Sequence, residues 1–286
     1  MNYFGELYKQ WVNYQRKALK QLGIKNIENF SDQEVAIYYF EYYFRVLPPV
    51  KYEVYISNEL LNNPLYNNFK LVIETIKMKA KSGKDLRPYL SKGIKNLKEP
   101  DKMLNDWGVY HFHLGDRLLD DGFVNRRREL LFVYRDFKLN PNKLYFLDIY
   151  NHGDWSKKRT IEILHNNWPE AIKTYKIEGL IDIQPVLNDE EHKLMRNAGI
   201  NCAVVLDDGT SYMMLGGGIT MAETNQQAVM LDIQYKKFFR DLENDLIENL
   251  KIKREQLILE IVKGSAFVYL DKNNYIPLDN LILFME

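Results

Sequence analysis

Cysteine is almost absent from this chain of 286 residues, in which Cys202 is the single example. One cysteine excludes an internal disulfide and, within one chain, a zinc site built from cysteine pairs. A composition without disulfides is typical of a reducing compartment, so we expect a cytoplasmic location. Long apolar runs are missing too. No stretch of roughly eighteen apolar residues occurs, which predicts no transmembrane helix and no membrane partner.

Several catalytic motifs are also lacking. The run Gly216-Gly-Gly218 is not followed by the Lys-Ser/Thr pair of a P-loop, and it does not match the dinucleotide-binding fingerprint. It predicts a tight turn before a helix instead. The sequence contains no serine or cysteine nucleophile motif. We therefore expect no cofactor and no covalent catalysis of that kind.

The composition that is present indicates a folded protein with an uneven charge distribution. Hydrophobic residues make up 46% of the chain and aromatic residues 13%, enough for a substantial core. The net charge is zero, yet residues 77–159 carry 19 basic against 11 acidic side chains, and residues 160–286 carry 12 against 20. A basic segment of this kind can attract a polyanion. Two solvated faces that differ in sign are the alternative.

The hydrophobic periodicity changes along the chain and predicts an α+β fold. A helical spacing of apolar residues dominates at first, and Ser31 to Glu34 has the pattern of a capping box. The spacing then changes to alternation, which predicts an antiparallel β-meander over Trp107–Leu114, Glu129–Phe137 and Leu144–Tyr150. The C-terminal part predicts a hairpin around Asp207-Asp-Gly209, and then a long helix. The apolar stripe of that helix comprises Val229, Ile233, Phe238, Leu242 and Leu246. We expect three regions: helical 1–100, a central sheet with the candidate site in 101–175, and α/β 176–286.

The central strands are rich in side chains that take part in acid–base chemistry. Side chains alternate across a strand, so His111 and His113 share one face. Asp148, Tyr150 and His152 share a face of the third strand, with Leu147 on the opposite one. Arginines cluster at the start of the second strand. If the strands pair as a meander, imidazole and guanidinium groups can converge on one sheet face.

Such a face has the groups needed to cleave RNA without a metal. A histidine can remove the proton of a 2′-hydroxyl near neutral pH. Arginines donate forked hydrogen bonds to a phosphate and stabilise its transition-state charge. An aromatic ring can stack an unpaired base.

The runs RRRELLFVYR (126–135) and LYFLDIYNH (144–152) resemble the core of RelE/YoeB-type toxins. The resemblance covers about residues 107–155 and implies a metal-independent endoribonuclease acting on messenger RNA, of toxin or phage-defence type. It implies that Arg128 or Arg135 binds the phosphate and that His152 or Tyr150 is the acid–base residue. The candidate catalytic residues are then His111, His113, Arg128, Arg135, Tyr150 and His152. The candidate RNA-binding residues are Arg126, Arg127, Trp155, Lys157 and Lys158.

Two other functions fit the same residues. His111 and His113, with His152 or Asp148 opposite, are ligand types for zinc or iron, so a metal-dependent enzyme is one alternative. The other is a non-catalytic interaction or immunity module, in which the histidines are ordinary half-buried residues. The expected partners are RNA and, in a toxin or immunity system, a protein inhibitor or target. The sequence does not indicate an oligomeric state.

Overall fold

A four-stranded sheet with the order β1-β4-β3-β2 organises the central part of the chain. The structure is a computed structural model that describes residues 5–153, 157–179, 183–279 and 281–283. The strands are β1 (Glu53–Ile56), β2 (Val109–His113), β3 (Glu129–Arg135) and β4 (Lys143–Asn151). β2, β3 and β4 form the antiparallel meander that the sequence predicted. β1 adds to β4 in parallel and widens the sheet.

A bulge in the β3–β4 ladder changes which residues face the core. Phe132 pairs with Asp148, but Val133 pairs with Phe146, so Leu147 is an extra residue in β4. Leu147 therefore packs in the same core cluster as Phe132 and Tyr134. The prediction that Leu147 lies on the face opposite Tyr150 was wrong, because a bulge breaks the simple alternation of side chains.

Helices cover the core face of the sheet. Ile161, Leu164 and Ile172 are fully buried in the cluster formed by the apolar side chains of β2, β3 and β4. The helices of the described part are α1 (Glu6–Gln21), α2 (Asp32–Arg45), α3 (Asn58–Asn62), α4 (Tyr66–Lys81), α5 (Lys102–Trp107), α6 (Arg159–Asn167), α7 (Pro169–Ile172), α8 (Asp189–Asn197) and α9 (Gln226–Leu250). The capping box predicted at Ser31 is confirmed, because Ser31 N donates to Glu34 Oε2 at 2.8 Å and Glu34 N donates back to Ser31 Oγ at 3.3 Å. The α+β fold class is therefore as expected.

The chain forms two compact units, Met1–Tyr42 with Ala228–Glu286 and Tyr43–Gln227. This division differs from the three successive regions 1–100, 101–175 and 176–286, because long-range pairing crosses both of those boundaries. Within the first unit, Trp11 of α1 stacks on Tyr235 of α9 at 5.2 Å between ring centroids. That unit also contains a three-stranded antiparallel sheet of β7 (Ile258–Val262), β8 (Ser265–Tyr269) and β9 (Tyr275–Leu278).

The glycine run 216–218 follows a short hairpin, β5 (Val204–Val205) and β6 (Ser211–Tyr212). Gly216 N donates to Asp106 O at 2.9 Å and Gly218 N donates to Asn105 O at 2.8 Å. A Cβ at Gly216 would overlap the carbonyl oxygen of Leu104. The run is thus a close backbone contact with the end of α5, in agreement with the predicted turn, and its amides are already bonded.

In the described part of the chain, no helix has the combination of length and apolar character that a membrane span requires.

Candidate functional site

The sheet topology brings the three histidines of the central block to one edge. β2 and β4 flank β3 and both run antiparallel to it. His113 and Tyr150 pair with Leu130 from its two sides, so the carboxyl ends of β2 and β4 are neighbours. His152 follows β4 directly, and its backbone N donates to Arg128 O at 2.9 Å, which continues the ladder by one step. Strand alternation then places His111 and His113 on one face.

His111, His113 and His152 all line a cavity of about 370 Å³. Their exposure differs: the side chain of His113 is buried, that of His111 is half-buried and that of His152 is exposed. The rings of His111 and His113 lie 6.2 Å apart between centroids. The other residues that line the cavity are Arg45, Ser91, Gly93, Ile94, Glu99, Pro100, Asp101, Lys102, Met103, Lys193, Arg196 and Asn197. The predicted convergence of the histidines therefore agrees with the structure.

The surroundings hold the two β2 imidazoles in their neutral form. Burial above all, and then the positive charge of Arg126 and the neighbouring histidines, lower the pKa of His113 to about 3. Burial also lowers the pKa of His111, against the opposing charge of Asp101. A neutral imidazole can accept a proton, but the lowered pKa makes both side chains weak bases unless a bound anion raises that pKa. Among the described residues, His113 Nδ1 is buried without a hydrogen-bond partner, so it has an unused capacity to bind a ligand atom.

Of the three consecutive arginines, Arg126 is the one whose charge acts on the histidines. Its Nη1 donates to Leu90 O at 3.0 Å, and its guanidinium lies 5.4 Å from the ring centroid of Phe123. Burial lowers the pKa of Arg126 against the attraction of Asp121. Arg127 instead approaches Asp116 at 3.5 Å on the exposed surface. Arg128 is exposed and is linked to His152 through its backbone oxygen.

Arg135 does not belong to this site. In β3 it pairs with Leu144 and lies on the sheet face of Val133, whereas the histidines lie on the face of Phe132. Its side chain is 3% exposed, its Nε donates to Pro141 O at 2.9 Å, and its guanidinium lies 4.6 Å from the ring centroid of Phe137. The predicted convergence of Arg135 with the histidines was wrong, since the strand register turns it to the other side.

The remaining predicted residues have mixed positions. Tyr150 is half-buried beside Phe132 at 4.8 Å between ring centroids, and Lys157 Nζ lies 5.8 Å from its ring centroid. Lys158 is held away from the histidine cavity by an ion pair of 2.6 Å with Asp207. Trp155 lies outside the described residues.

Sequence reasoning missed most of the charged residues that line the histidine cavity. Arg45, Lys102, Lys193 and Arg196 are cationic, against the carboxylates of Glu99 and Asp101. They come from α2, α5 and α8 and from the loop before α5, which the sequence gives no reason to bring together. The excess of basic side chains in residues 77–159 was the only available signal, and it does not include Arg45, Lys193 or Arg196.

The arrangement does not favour the metal alternative. Across the ranges that the structure describes, no group of three His, Cys, Asp or Glu side chains is placed to hold a metal ion. Asp148 accepts a hydrogen bond of 2.6 Å from Asn63 Nδ2, and it is not among the described residues that line the cavity with His111 and His113. The predicted two-histidine, one-carboxylate set is therefore not assembled.

Comparisons with protein-family models, curated proteins and solved structures gave no match. The chemistry of the histidine cavity is therefore the basis on which a function can be argued. Among the described residues, the cavity has three imidazoles, two of them held neutral, and four cationic side chains against two carboxylates, with one of the cations, Arg196, paired with the buried Asp106. Such a lining suits an anionic substrate and proton transfer to or from it.

Proposed function

We propose that this chain is a metal-independent endoribonuclease whose active site is the histidine cavity. The observation that carries the proposal is the meeting of His111, His113 and His152 in one cavity with a cationic lining. Two histidines on opposite sides of a phosphodiester can serve as base and acid in the same reaction. A toxin or phage-defence role rests on the resemblance of residues 126–135 and 144–152 to RelE/YoeB-type toxins, and it is part of the proposal.

The reaction is transesterification within the RNA backbone. A neutral imidazole of β2 accepts the proton of the 2′-hydroxyl, and the 2′-oxygen forms a bond to phosphorus. The bond between phosphorus and the 5′-oxygen breaks, and the protonated imidazole of His152 supplies a proton to that oxygen. The products are a 2′,3′-cyclic phosphate and a free 5′-hydroxyl, so no external nucleophile or metal is consumed.

The cationic side chains stabilise the charge that develops on the phosphate. Arg126 acts with its charge on the β2 histidines, and Lys193 reaches the cavity from α8, whereas the charge of Arg196 is already paired with Asp106. A guanidinium in a partly buried site stabilises a phosphoryl transition state more than it does in water. Binding of the anionic substrate also raises the pKa of nearby imidazoles, which makes the β2 base stronger when RNA is present.

RNA cleavage in the presence of a chelator tests the proposal directly. We expect the purified protein to cleave a single-stranded RNA at the same rate with EDTA as with magnesium. The same oligonucleotide with a 2′-deoxyribose at the cleavage site should stay intact, because it lacks the attacking hydroxyl. Mass spectrometry of the fragments should find the cyclic phosphate. RNA that remains intact under all conditions would contradict the proposal. Cleavage that stops when EDTA is added would support a metal-dependent enzyme instead.

The pH profile of cleavage should depend on Arg126 but not on its neighbour Arg127. The quantity kcat/KM reports the free enzyme, in which burial and Arg126 lower the pKa of both β2 histidines. The acid limb of kcat/KM should therefore lie below the ordinary histidine pKa of about 6.5. Arg126→Gln removes a positive charge that disfavours protonation, so the limb should move to higher pH, and RNA binding should weaken roughly tenfold.

Arg127→Gln is the matched control, since Arg127 is exposed and adjacent in sequence. Its profile should coincide with that of the unmodified protein. If the acid limb of the kcat/KM profile lies at the ordinary histidine pKa and neither Arg126→Gln nor Arg127→Gln moves it, the β2 imidazoles are not the base.

A further inference from the structure

A second cavity in the same unit, of about 310 Å³, has a lining rich in aromatic rings. Tyr55, Tyr145 and Trp168 contribute the rings, and Lys143 contributes a positive charge. The remaining lining residues are Asn140, Asn167, Pro169, Glu170 and Ala171. This aromatic cavity lies at the edge of the sheet formed by β1, and no step of the proposed reaction uses it.

The three rings form one continuous aromatic surface. Tyr55 and Tyr145 pair across β1 and β4, and their rings stack at 5.3 Å between centroids. Trp168 lies 5.0 Å from Tyr145 and 6.4 Å from Tyr55 in the same measure. The hydroxyl of Tyr55 donates to Glu53 Oε2 at 2.7 Å, which fixes the ring. Tyr145 is buried beneath the surface, while Tyr55 and Trp168 remain half-exposed.

The chemistry of this surface suits a planar ring with an attached anion. An aromatic face stacks a nucleobase regardless of its sequence. Lys143 Nζ lies 5.5 Å from the centroid of the Tyr55 ring, so a cation already occupies the position that a quaternary ammonium ligand would take. A base that stacked on Tyr55 would displace this flexible amine and leave it next to the phosphate of the same nucleotide.

We infer that the aromatic cavity is a subsite that stacks one base of a single-stranded RNA whose backbone is cleaved in the histidine cavity. Tyr145 and His152 are seven residues apart along β4 and its extension, or about 23 Å at roughly 3.3 Å per residue. Tyr145 and the β2 histidines lie on the same face of the sheet. The subsite would therefore hold a nucleotide several positions from the cleaved bond. This inference rests on the proposed function for its substrate.

Substitution of Tyr55 by valine tests the subsite, because valine is compatible with an edge strand and removes the ring. The control is Tyr275→Val, which removes a half-exposed tyrosine from β9, an edge strand of the first unit. The first readout is the binding of a fluorescent DNA 12-mer, which stacks equally well but cannot be cleaved. We expect Tyr55→Val to weaken this binding roughly fivefold or more, the size of one lost stacked base. Lys143→Gln should weaken it less, and Tyr275→Val should leave it unchanged.

The second readout is the cleavage of a dinucleotide and of an RNA 12-mer. Tyr55→Val should raise KM for the 12-mer and leave kcat/KM for the dinucleotide unchanged, because a dinucleotide is too short to reach both cavities. Equal 12-mer affinity in Tyr55→Val and Tyr275→Val would overturn the subsite. The subsite would also be overturned if trimethylammonium compounds bind to the aromatic cavity and the nucleic acid does not compete with them. If the protein does not cleave RNA, but Tyr55→Val still binds the DNA 12-mer more weakly than Tyr275→Val does, the proposed reaction is contradicted and the stacking site is retained.

Discussion

Replacement of His152 by alanine is expected to lower the rate of RNA cleavage by about 10²- to 10⁴-fold, the usual contribution of a general acid or base. The effect should appear in kcat, because His152 acts on the leaving oxygen rather than in binding. The fold should not change, since the His152 side chain is exposed and its ladder contact is made by the backbone. Circular dichroism and single-turnover kinetics on the same preparation measure both properties.

A chemically matched leaving group makes this prediction specific to the acid role. An RNA analogue with a 5′-thiol leaving group departs without protonation, so His152→Ala should cleave it nearly as fast as the unmodified protein does. His165→Gln is the control for loss of a histidine elsewhere, because His165 bonds Tyr212 and Asp208 outside the histidine cavity. Equal activity of His152→Ala and His165→Gln on normal RNA would remove His152 from the mechanism.

The strand pattern alone was enough to predict the position of the histidines. His111 and His113 alternate with the apolar residues Tyr110, Phe112 and Leu114. The short connection between β3 and β4 favours antiparallel pairing, and the same pairing of β2 with β3 across the longer linker 115–128 places the ends of β2 and β4 together. His152 joins them because it directly follows β4. These steps need only local spacing and the topology of a meander.

The prediction that Arg135 converges with the histidines was wrong for a definite physical reason. Alternation shows which residues of one strand share a face, but not which face of the neighbouring strand they match. That choice depends on the register of β2 against β3, which the linker 115–128 sets through its own turns. The observed register pairs His111 with Phe132, and therefore leaves Arg135 on the other side.

The long helix α9 shows a second limit of sequence reasoning. Its predicted apolar stripe included Ile233 and Phe238, which are 51% and 41% exposed, whereas Asp232 and Glu243 are buried. Asp232 accepts a hydrogen bond of 2.5 Å from the Tyr8 hydroxyl, and Glu243 pairs with Arg254 at 2.6 Å. A buried carboxylate is tolerated when such partners exist. The helix periodicity cannot reveal partners that come from α1 and from the segment after α9.

Substitution of Arg196 by methionine is expected to destabilise the protein by about 3–5 kcal/mol, the cost of leaving a buried charge without its partner. Arg196 Nε donates to Asp106 Oδ2 at 2.7 Å, and both side chains are largely buried. The guanidinium also lies 4.2 Å from the ring centroid of Trp107, so methionine keeps much of the packing. Urea unfolding followed by tryptophan fluorescence measures the loss. Lys193→Met, at an exposed position of the same helix, should change the stability by less than about 0.5 kcal/mol.

The pH dependence identifies the unpaired carboxylate as the cause. Burial raises the pKa of Asp106, and Arg196 opposes this shift with its positive charge. Without Arg196 the folded-state pKa rises further above the unfolded value of about 3.9. Folding then favours the protonated carboxyl, so stability is retained at acid pH and is lost as the pH rises through the folded pKa. The deficit of Arg196→Met relative to the unmodified protein should therefore be small at pH 4 and largest near pH 8. The double variant Asp106→Leu/Arg196→Met has no buried charge at either position and should recover most of the stability. If the single variant Arg196→Met shows an equal deficit at pH 4 and pH 8, the loss comes from packing on Trp107 instead.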